Sequence, residues 1–185
     1  MSGAAASAVR IERLDVASFE AAFGDLVGIV VDAVASGASV GFVDPFDATD
    51  AASWWRGLAP ALADGSMVLL VARRGDGRVV GTVQLHPSPK ANQWYRADVA
   101  KLLVHRDARG QGIATTLMAA IEAEAVAAGR TLLVLDTAEG STSDRLYRRL
   151  GWIPFGIVPE YASYPDRSPC DVVFFWKKLG PIPTA

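Results

Sequence analysis

A glycine-rich turn between an apolar segment and an amphipathic segment is the first place where the sequence points to chemistry. The turn reads RGQGIA, from Arg109 to Ala114, and it follows an apolar run that ends at Val104. A strand that passes through such a turn into a helix presents unpaired backbone N–H groups at the helix start, and these groups favour an anion. Glycine at positions 110 and 112 lets the backbone approach the anion without an intervening Cβ. The turn therefore predicts a site for a phosphate or a diphosphate.

Two familiar nucleotide-binding patterns can be compared with this turn. The P-loop pattern requires a Gly-Lys-Ser/Thr sequence, which does not follow here. In the dinucleotide-binding pattern, Gly110, Gly112 and Thr115 would stand for GxGxxG, and Asp136 lies where an acid that binds ribose is expected. The third glycine is missing, and the preceding segments do not repeat a strand–helix–strand unit. A nicotinamide-nucleotide site stays open as an alternative.

The elements that must position the turn follow from hydrophobic periodicity and turn residues. Ser18 is the expected N-cap of the first helix, and Pro60 predicts a kink or an early end of the second. Tyr161 falls in an expected loop between the last two strands. The predicted helices are Ser18–Ser36, Thr49–Leu62, Ile113–Gly129 and Ser143–Leu150; the predicted strands are Met67–Arg73, Arg78–His86, Asp98–Val104, Thr131–Asp136, Trp152–Val158 and Cys170–Leu179.

The connections between these elements predict a mixed sheet. Asp76-Gly77 is a strong hairpin signal, so the first two strands are expected to pair antiparallel. The strand before the turn, the helix after it and the strand ending at Asp136 form a βαβ unit, which makes those two strands parallel. The sequence therefore predicts a single α/β domain, with a mixed central sheet flanked by helices.

Composition limits the classes of protein and partner. The 185 residues are 51% hydrophobic and 21% charged, which is typical of one globular domain. The domain is expected to span residues 9–180, with a disordered tail at 1–8 and a C-terminal tail at 181–185. The net charge of −2 gives no general reason to bind nucleic acid. The single Cys170 and the lack of a long apolar run favour a cytoplasmic protein without a membrane partner. A monomer and a homodimer both stay open.

The turn resembles the acyl-CoA motif of the GNAT superfamily of N-acetyltransferases, [Arg/Gln]-x-x-Gly-x-[Gly/Ala], at Arg109, Gly112 and Ala114. The order of predicted elements agrees with that family over nearly the whole chain, and LYRRLGW, Leu146–Trp152, is similar to its Leu-Tyr-x-x-x-Gly-Phe segment. The resemblance implies a GNAT fold with a βαβ acyl-CoA-binding core. Further stretches resemble the tabtoxin resistance subfamily, which acetylates an amino-acid-like β-lactam toxin: GASVGF, RADVAKLLV, ARGQG, LDT and PDR.

The resemblance also implies acetyl-CoA as cosubstrate, with backbone groups holding its diphosphate and its pantetheine arm. No metal is expected, because His86 and His105 lack metal-ligand spacing. The predicted acetyl-CoA-binding residues are Leu103, Val104, Arg109, Gly110, Gln111, Gly112, Ile113 and Ala114.

Acetyl transfer to an amine needs a group that takes the proton of the ammonium ion. Asp98 and Asp136 are the candidates, since they lie in the two strands that flank the motif helix. In the tabtoxin resistance subfamily the matching positions carry a glutamate and an aspartate proposed as catalytic, so Asp98 is one methylene shorter than its counterpart. Tyr147 is the third candidate, because a phenol can hand a proton to the departing CoA thiolate.

The predicted activity is acetyl transfer from acetyl-CoA directly to a primary amine on a small molecule, either amino-acid-like or a toxin or antibiotic. Loops that flank the cleft are expected to select the acceptor. One alternative is a protein or peptide N-acetyltransferase, and another is a non-catalytic sensor that binds acyl-CoA or a nicotinamide nucleotide. The predicted acceptor-binding residues are Ser39, Phe42, Asp44 and Tyr161.

Overall fold

Seven strands form one twisted sheet in the computed structural model, which describes residues 9–182. The strands are β1 (Arg10–Arg13), β2 (Val68–Arg73), β3 (Val79–Pro87), β4 (Arg96–Val104), β5 (Leu132–Ala138), β6 (Ile153–Ser163) and β7 (Pro169–Lys178). The α-helices are α1 (Val16–Ala35), α2 (Ala48–Ala63), α3 (Ile113–Ala127) and α4 (Thr142–Arg149). Short 3-10 turns lie at Ala91–Gln93 and Arg106–Ala108.

The strand order is β1-β2-β3-β4-β5-β7-β6, and the sheet is mixed as predicted. β4 and β5 are parallel and are joined by α3, whereas the other neighbouring strands are antiparallel. The β2–β3 hairpin forms at Asp76-Gly77. The βαβ unit thus puts the carboxyl end of β4, the turn and the amino end of α3 at one edge of the parallel pair.

Each face of the sheet is covered by helices through its own apolar cluster. α1 and α2 pack on one face, where Phe19, Leu26 and Trp55 are fully buried against β2. The amphipathic stripe of α3 packs on the other face, where Leu117 and Ile121 are fully buried. Burial of these large side chains is the main favourable term in folding, at about 1.5–3 kcal/mol for each fully buried side chain. Polar residues buried in the sheet beside these clusters, such as Thr82 and Gln84, therefore need a separate explanation.

The start of α1 differs from the predicted start by three residues. Asp15, not Ser18, is the N-cap: its carboxylate accepts a hydrogen bond from the Ser18 backbone N–H at 2.8 Å. Ser18 returns a bond by accepting from the Asp15 N–H at 2.9 Å, so the two residues form a reciprocal capping box. The carboxylate competes better for the first cap position because it is the stronger acceptor.

Two further predictions are corrected by the structure, and one strand was not predicted. α2 continues past Pro60 and ends at Ala63, since a proline in the last turn costs only one backbone hydrogen bond. Tyr161 lies in β6 and not in a loop, because a register shift between Val158 and Ala162 lets the strand continue past Pro159. β1, at the sheet edge, was not predicted from its short sequence. The expected tail at 1–8 lies outside the described residues, and 181–185 does so in part.

Candidate active site

The parallel strands β4 and β5 separate soon after they begin. They pair over only three residues, from Arg96 to Asp98 on β4, opposite Leu132 to Val134 on β5. Beyond this point β4 stays paired with β3 up to Val104, and β5 stays paired with β7 up to Ala138. The sheet therefore opens into a V-shaped cleft, and the backbone groups of β4 that face β5 have no strand partner there.

A β-bulge in β4 accompanies this opening. The pairing register with β3 shifts between Thr82 and Gln84, and Lys101 of β4 has a φ of 51°. Positive φ in a non-glycine residue is costly and marks a position where the surrounding structure dictates the backbone. The bulge turns β4 away from β5 and directs the Lys101 side chain into the cleft beside α2 and the α1–α2 connection, residues 36–47.

The predicted anion turn has the geometry that the glycines suggested. Gly110 and Gly112 both have a φ of 77°, a left-handed conformation that favours glycine. Gly112 is the N-cap of α3 and offers no side-chain hydrogen bond, so the first N–H groups of the helix are left for another acceptor. Ile113 and Leu103 are buried, and only their backbone groups can serve a ligand.

Two arginines of the turn bind within the protein. Arg106 and Arg109 both form ion pairs with Asp32 of α1, and the Arg109 guanidinium lies 2.9 Å from its Oδ2. Asp32 also accepts the Arg106 backbone N–H at 3.0 Å, and Arg109 Nε donates to the Val104 carbonyl at 2.9 Å. Burial alone would raise the pKa of Asp32, but the hydrogen bonds from Arg106 outweigh it and lower that pKa. The Arg109 side chain therefore holds the turn against α1, while its phosphate contact stays a prediction.

The two candidate acids lie on the same face of the sheet, Asp98 on β4 and Asp136 on β5, on either side of the opening. Asp98 is half exposed and is held by Arg96, whose guanidinium lies 3.1 Å from Oδ2. Asp136 is exposed at the opening. Partial desolvation by its surroundings raises the pKa of Asp136; the nearby Lys101 charge opposes the rise and the Asp98 charge adds to it. The Asp136 carboxylate is thus more basic than an ordinary aspartate.

Tyr147 of α4 lies under the cleft in the apolar core. Its ring packs at 6.0 Å from the Trp152 ring and at 5.9 Å from the Phe175 ring, and only 6% of the residue is exposed. Burial raises the pKa of Tyr147 far above its ordinary value, and the Asp136 charge adds to the rise. Its phenol is therefore protonated at neutral pH and can act only as a hydrogen-bond or proton donor.

The family model for the acetyltransferase (GNAT) family matches residues 31–152. The chain belongs to the GNAT family of acetyltransferases. It is accordingly an acetyl-CoA-dependent acetyltransferase with a single-domain α/β fold. The match contains the V-shaped cleft, the turn at 109–114 and both candidate acids.

Solved structures with the same fold cover nearly the whole chain of this acetyltransferase. A ribosomal-protein-alanine N-acetyltransferase from Brucella melitensis is 26% identical, with a TM-score of 0.73, over 92% of this chain and 99% of that one. An N-acetyltransferase from Staphylococcus aureus Mu50 is 20% identical, with a TM-score of 0.76 and coverage of 94% and 100%. A phosphinothricin acetyltransferase from Sinorhizobium meliloti, in complex with acetyl-CoA, is 17% identical, with a TM-score of 0.74 and coverage of 93% and 89%.

The α1–α2 connection of the acetyltransferase is tied to the end of β6 and the turn after it. Ser39 Oγ donates to the Ser163 carbonyl at 2.8 Å, and the Asp44 N–H donates to the Pro165 carbonyl at 2.8 Å. The Ser39 hydroxyl and the Asp44 backbone N–H, both from predicted acceptor-binding residues, thus close this wall of the cleft. Tyr161 is exposed on β6, where its ring packs edge-on at 5.0 Å from the Phe174 ring. A shallow cavity of about 380 Å³ outside this wall is lined by Asp44 and contains none of the candidate acids.

Phe42 is the predicted acceptor-binding residue that lies nearest to a charged group of the cleft. Its ring packs at 4.5 Å from Phe46 and at 5.3 Å from Trp54, which together form an aromatic cluster over the opening. The ammonium of Lys101 lies 5.4 Å from the Phe42 ring centre. Sequence reasoning did not select Lys101, because a single lysine in an apolar strand has no motif around it.

Residues of β3 were also missed. Thr82 and Gln84 are buried polar residues, and His86 continues the same alternation in a strand that is otherwise apolar. A period-two row of polar side chains within a central strand was the available signal, since such a row must face something other than a hydrophobic core. Ser141, at the start of α4, caps the helix by accepting from the Asp144 N–H.

Among residues 9–182, no helix combines the length and the apolar character that crossing a membrane requires.

Proposed function

We propose that this acetyltransferase moves the acetyl group of acetyl-CoA directly to the primary amine of a small, amino-acid-like molecule. The observation that carries the proposal is the position of the Asp136 carboxylate, just beyond the point where β4 and β5 separate, on the same face of the sheet as Asp98. Partial desolvation there also raises the pKa of Asp136. A carboxylate with a raised pKa is a better proton acceptor for an ammonium ion, provided that it is still ionised at the working pH.

The residues of the turn and of β4 fit acetyl-CoA. Backbone N–H groups from Gly110 to Ala114 are proposed to hold the diphosphate, because a left-handed, uncapped helix start favours an anion. The unpaired edge of β4 at Leu103 and Val104 is proposed to hydrogen-bond the pantetheine arm, as a neighbouring strand would. The exposed Gln111 is proposed to border the same site. Both sites are made of backbone groups, so their geometry depends on the fold and not on side-chain rotamers.

Proton removal is the step that most needs a protein group. A lysine-like amine with a pKa near 10.4 costs about 4.6 kcal/mol to deprotonate at pH 7, whereas an α-amine with a pKa near 8 costs roughly 1.4 kcal/mol. Asp136 is proposed to take this proton from the acceptor. Asp98 is one methylene shorter than the glutamate that matches it by resemblance and is held by Arg96, so we propose that it relays a proton through water.

The second proton transfer involves the thiol of CoA, which leaves as a thiolate when the amide bond forms. Tyr147 is proposed to donate a proton or a hydrogen bond to this sulfur, since its raised pKa keeps the phenol protonated. Cys170 is buried and its thiol lies 3.5 Å from the Asp171 carbonyl, which argues against an acyl-cysteine intermediate. Direct transfer is therefore favoured.

The closed wall of the cleft supports a small acceptor. Hydrogen bonds of Ser39 and Asp44 join the α1–α2 connection to the β6–β7 turn, and the ring of Phe42 packs beside Trp54 over the opening. We propose that Phe42, with Ser39, Asp44 and Tyr161 around it, borders the acceptor. Sequence similarity to the tabtoxin resistance subfamily supports an amino-acid-like acceptor, including a toxin of that type.

A protein N-acetyltransferase is the second candidate function. The observation that favours it is the 26% identity to the ribosomal-protein-alanine N-acetyltransferase of Brucella melitensis. Such an enzyme must admit the amino terminus of a polypeptide, which requires an open groove. The hydrogen bonds between Ser39 and Ser163 and between Asp44 and Pro165 cross the place where that groove would run.

The test is acetyl-CoA-dependent thiol release over an amine panel. The panel holds amino acids, amino-acid-like toxins, polyamines, aminoglycosides and peptides that begin with alanine. We expect the highest kcat/KM for a small amino-acid-like member. Turnover of the peptides alone would establish the second candidate, and CoA binding without thiol release over the whole panel would establish a sensor.

A further inference from the structure

Two buried polar atoms on β3 have no partner within the described residues 9–182: Thr82 Oγ1 and Gln84 Nε2. Thr82 is 0% exposed and Gln84 is 1% exposed, so water cannot solvate these side chains freely. Gln84 Oε1 is engaged, at 2.9 Å from His86 Nε2, which leaves the amide nitrogen unpaired. A buried donor without an acceptor lowers stability, and nearly all such groups in proteins are paired. The unpaired amide therefore points to a ligand acceptor.

The unpaired amide lies on the same face of the sheet as the candidate acids. Its neighbours Val83 and Leu85 pack in the α3 cluster, so Gln84 between them faces α1 and α2. In the β3–β4 register Gln84 is opposite Ala100, and the bulged Lys101 is the next residue along β4. The amide and the Lys101 stem are thus adjacent on neighbouring strands.

Lys101 brings a positive charge to this part of the cleft. Its Nζ donates to the Val40 carbonyl at 2.6 Å, which uses one of its three protons. The ring centres of Phe42 and Trp54 lie 5.4 Å and 5.5 Å from Nζ. The aromatic faces attract the ammonium, but they are not conventional hydrogen-bond acceptors for its two other protons. A Cβ on residue 41 would lie 3.3 Å from Nζ, so Gly41 leaves room for the ammonium.

The charges of the cleft discriminate among amines. A simple amine or a polyamine that approaches Asp136 as an ammonium ion is repelled by the Lys101 ammonium in the same desolvated opening. An acceptor that carries a carboxylate near its amine is attracted at both ends. Burial lowers the pKa of Lys101, and the Asp136 charge opposes this. The charges of Lys101 and Asp136 therefore interact across the space that the acceptor must enter.

Resting on the function proposed above, we propose that Lys101 and Gln84 form a carboxylate-binding subsite that makes amino-carboxylic acids the preferred acceptors. The ammonium supplies the charge and two N–H donors, and the Gln84 amide supplies a third donor with fixed direction. Thr82 lies two residues before Gln84 on the same face of β3, and its unpaired hydroxyl is a further hydrogen-bonding group near the subsite. Lys101 thus acts on specificity and is not the group that takes the proton.

The test compares each amino acid with its own carboxamide, which keeps the amine and the side chain but removes the negative charge. The carboxamide also changes the basicity of the amine, so the measured quantity is the acid-to-amide ratio of kcat/KM in a variant relative to wild type. In K101M the KM for the acid should rise roughly 10- to 100-fold, as expected when a hydrogen-bonded charge pair is lost. The kcat for the acid should change little, and the KM for the amide should stay the same or fall, because the Lys101 charge that repels its ammonium is removed.

Matched variants separate a subsite from a structural role. K90M makes the same chemical change at an exposed lysine outside the cleft and should leave the ratio unchanged. K101R retains the charge and should restore a substantial part of the preference. Q84M removes the unpaired amide nitrogen and also the Gln84 Oε1–His86 Nε2 bond, so it should lower the ratio by several-fold and lower Tm slightly. A lower Tm with an unchanged ratio would assign Gln84 to structure alone.

Binding gives a readout that does not depend on turnover. Calorimetric titration of the wild-type protein with the acid, in the presence of CoA, should give a Kd that K101M weakens by the same factor as its KM. Equal losses of acid and amide activity in K101M would mean that Lys101 only holds the α1–α2 connection, and would overturn the proposal. If the enzyme acetylates amines but does not prefer those with a carboxylate, the subsite is refuted and the proposed acetyltransferase function stands. If the acid binds in a Lys101-dependent way but is not acetylated, the subsite stands and the proposed function is refuted.

Discussion

Replacement of Asp32 by asparagine tests whether α1 holds the acetyl-CoA turn in place. The Asp32 side chain is 5% exposed, and it accepts hydrogen bonds from the Arg106 backbone N–H, from the Arg106 guanidinium and from the Arg109 guanidinium. Asparagine keeps one carbonyl oxygen at the Oδ2 position, where the Arg106 backbone N–H and the Arg109 guanidinium both donate, but turns its NH2 group toward Arg106 Nε. The bond from Arg106 Nε is therefore lost, and the bond from Arg109 loses its negatively charged acceptor.

The expected cost follows from the strength and the exposure of these bonds. A hydrogen bond to a charged group contributes about 1.5–3 kcal/mol. The two guanidinium groups are 54% and 46% exposed, so solvent screens them and the lower part of that range applies to each. We expect the free energy of unfolding to fall by about 2–3 kcal/mol at pH 7.

The loss should depend on pH with a definite sign. The pKa of Asp32 in the folded protein is lowered from its ordinary value of 3.8, so its stabilisation is complete above that value and disappears as the pH falls through the folded pKa. The difference between wild type and D32N should therefore shrink below pH 4. Urea denaturation at pH 7 and at lower pH measures both quantities.

The same variant should bind CoA more weakly, because CoA must then order the turn itself. We expect the Kd to rise by about tenfold in a calorimetric titration. D25N is the matched control: Asp25 lies on the same helix and accepts the Val79 N–H at 2.8 Å, and it has no hydrogen bond to the turn. It should leave the Kd unchanged. If D32N unfolds like wild type and binds CoA equally well, the ion pairs with Arg106 and Arg109 do not organise the turn.

Three further variants test the site. D136N should lower turnover by roughly 10²–10⁴-fold and remove the fall in kcat/KM at acidic pH. It should also raise the free energy of unfolding at neutral pH, because a raised carboxyl pKa means that ionisation of Asp136 opposes folding. A variant with normal turnover would exclude Asp136 as the base. G112A should lose about 1–3 kcal/mol, because alanine is strained at a φ of 77°, and should weaken CoA binding; an unchanged Kd would argue against the anion turn. Y147F should keep the stability within about 1 kcal/mol, since it removes one hydroxyl, and should slow thiol release in single-turnover kinetics; an unchanged rate would assign Tyr147 to packing alone.

The anion turn and the order of elements were predictable because they depend on local chemistry. Glycines at 110 and 112 permit a backbone conformation that other residues resist, and the helix after them follows from its own apolar stripe. The parallel arrangement of β4 and β5 follows from the connection through α3, since a βαβ unit has one favoured topology. Asp98 and Asp136 therefore lie on adjacent parallel strands as predicted, while their place in an active site and their roles stay predictions.

The tertiary structure decided what the side chains contact. Arg109 looks like a phosphate ligand in the sequence, and the structure gives it and Arg106 a common partner in Asp32, more than 70 residues earlier. Lys101 gained its position only through the bulge and the closure of the α1–α2 connection over it. Local propensity acts over a few residues and is written in the sequence, whereas the direction of a charged side chain depends on which distant group offers the better partner once water is excluded.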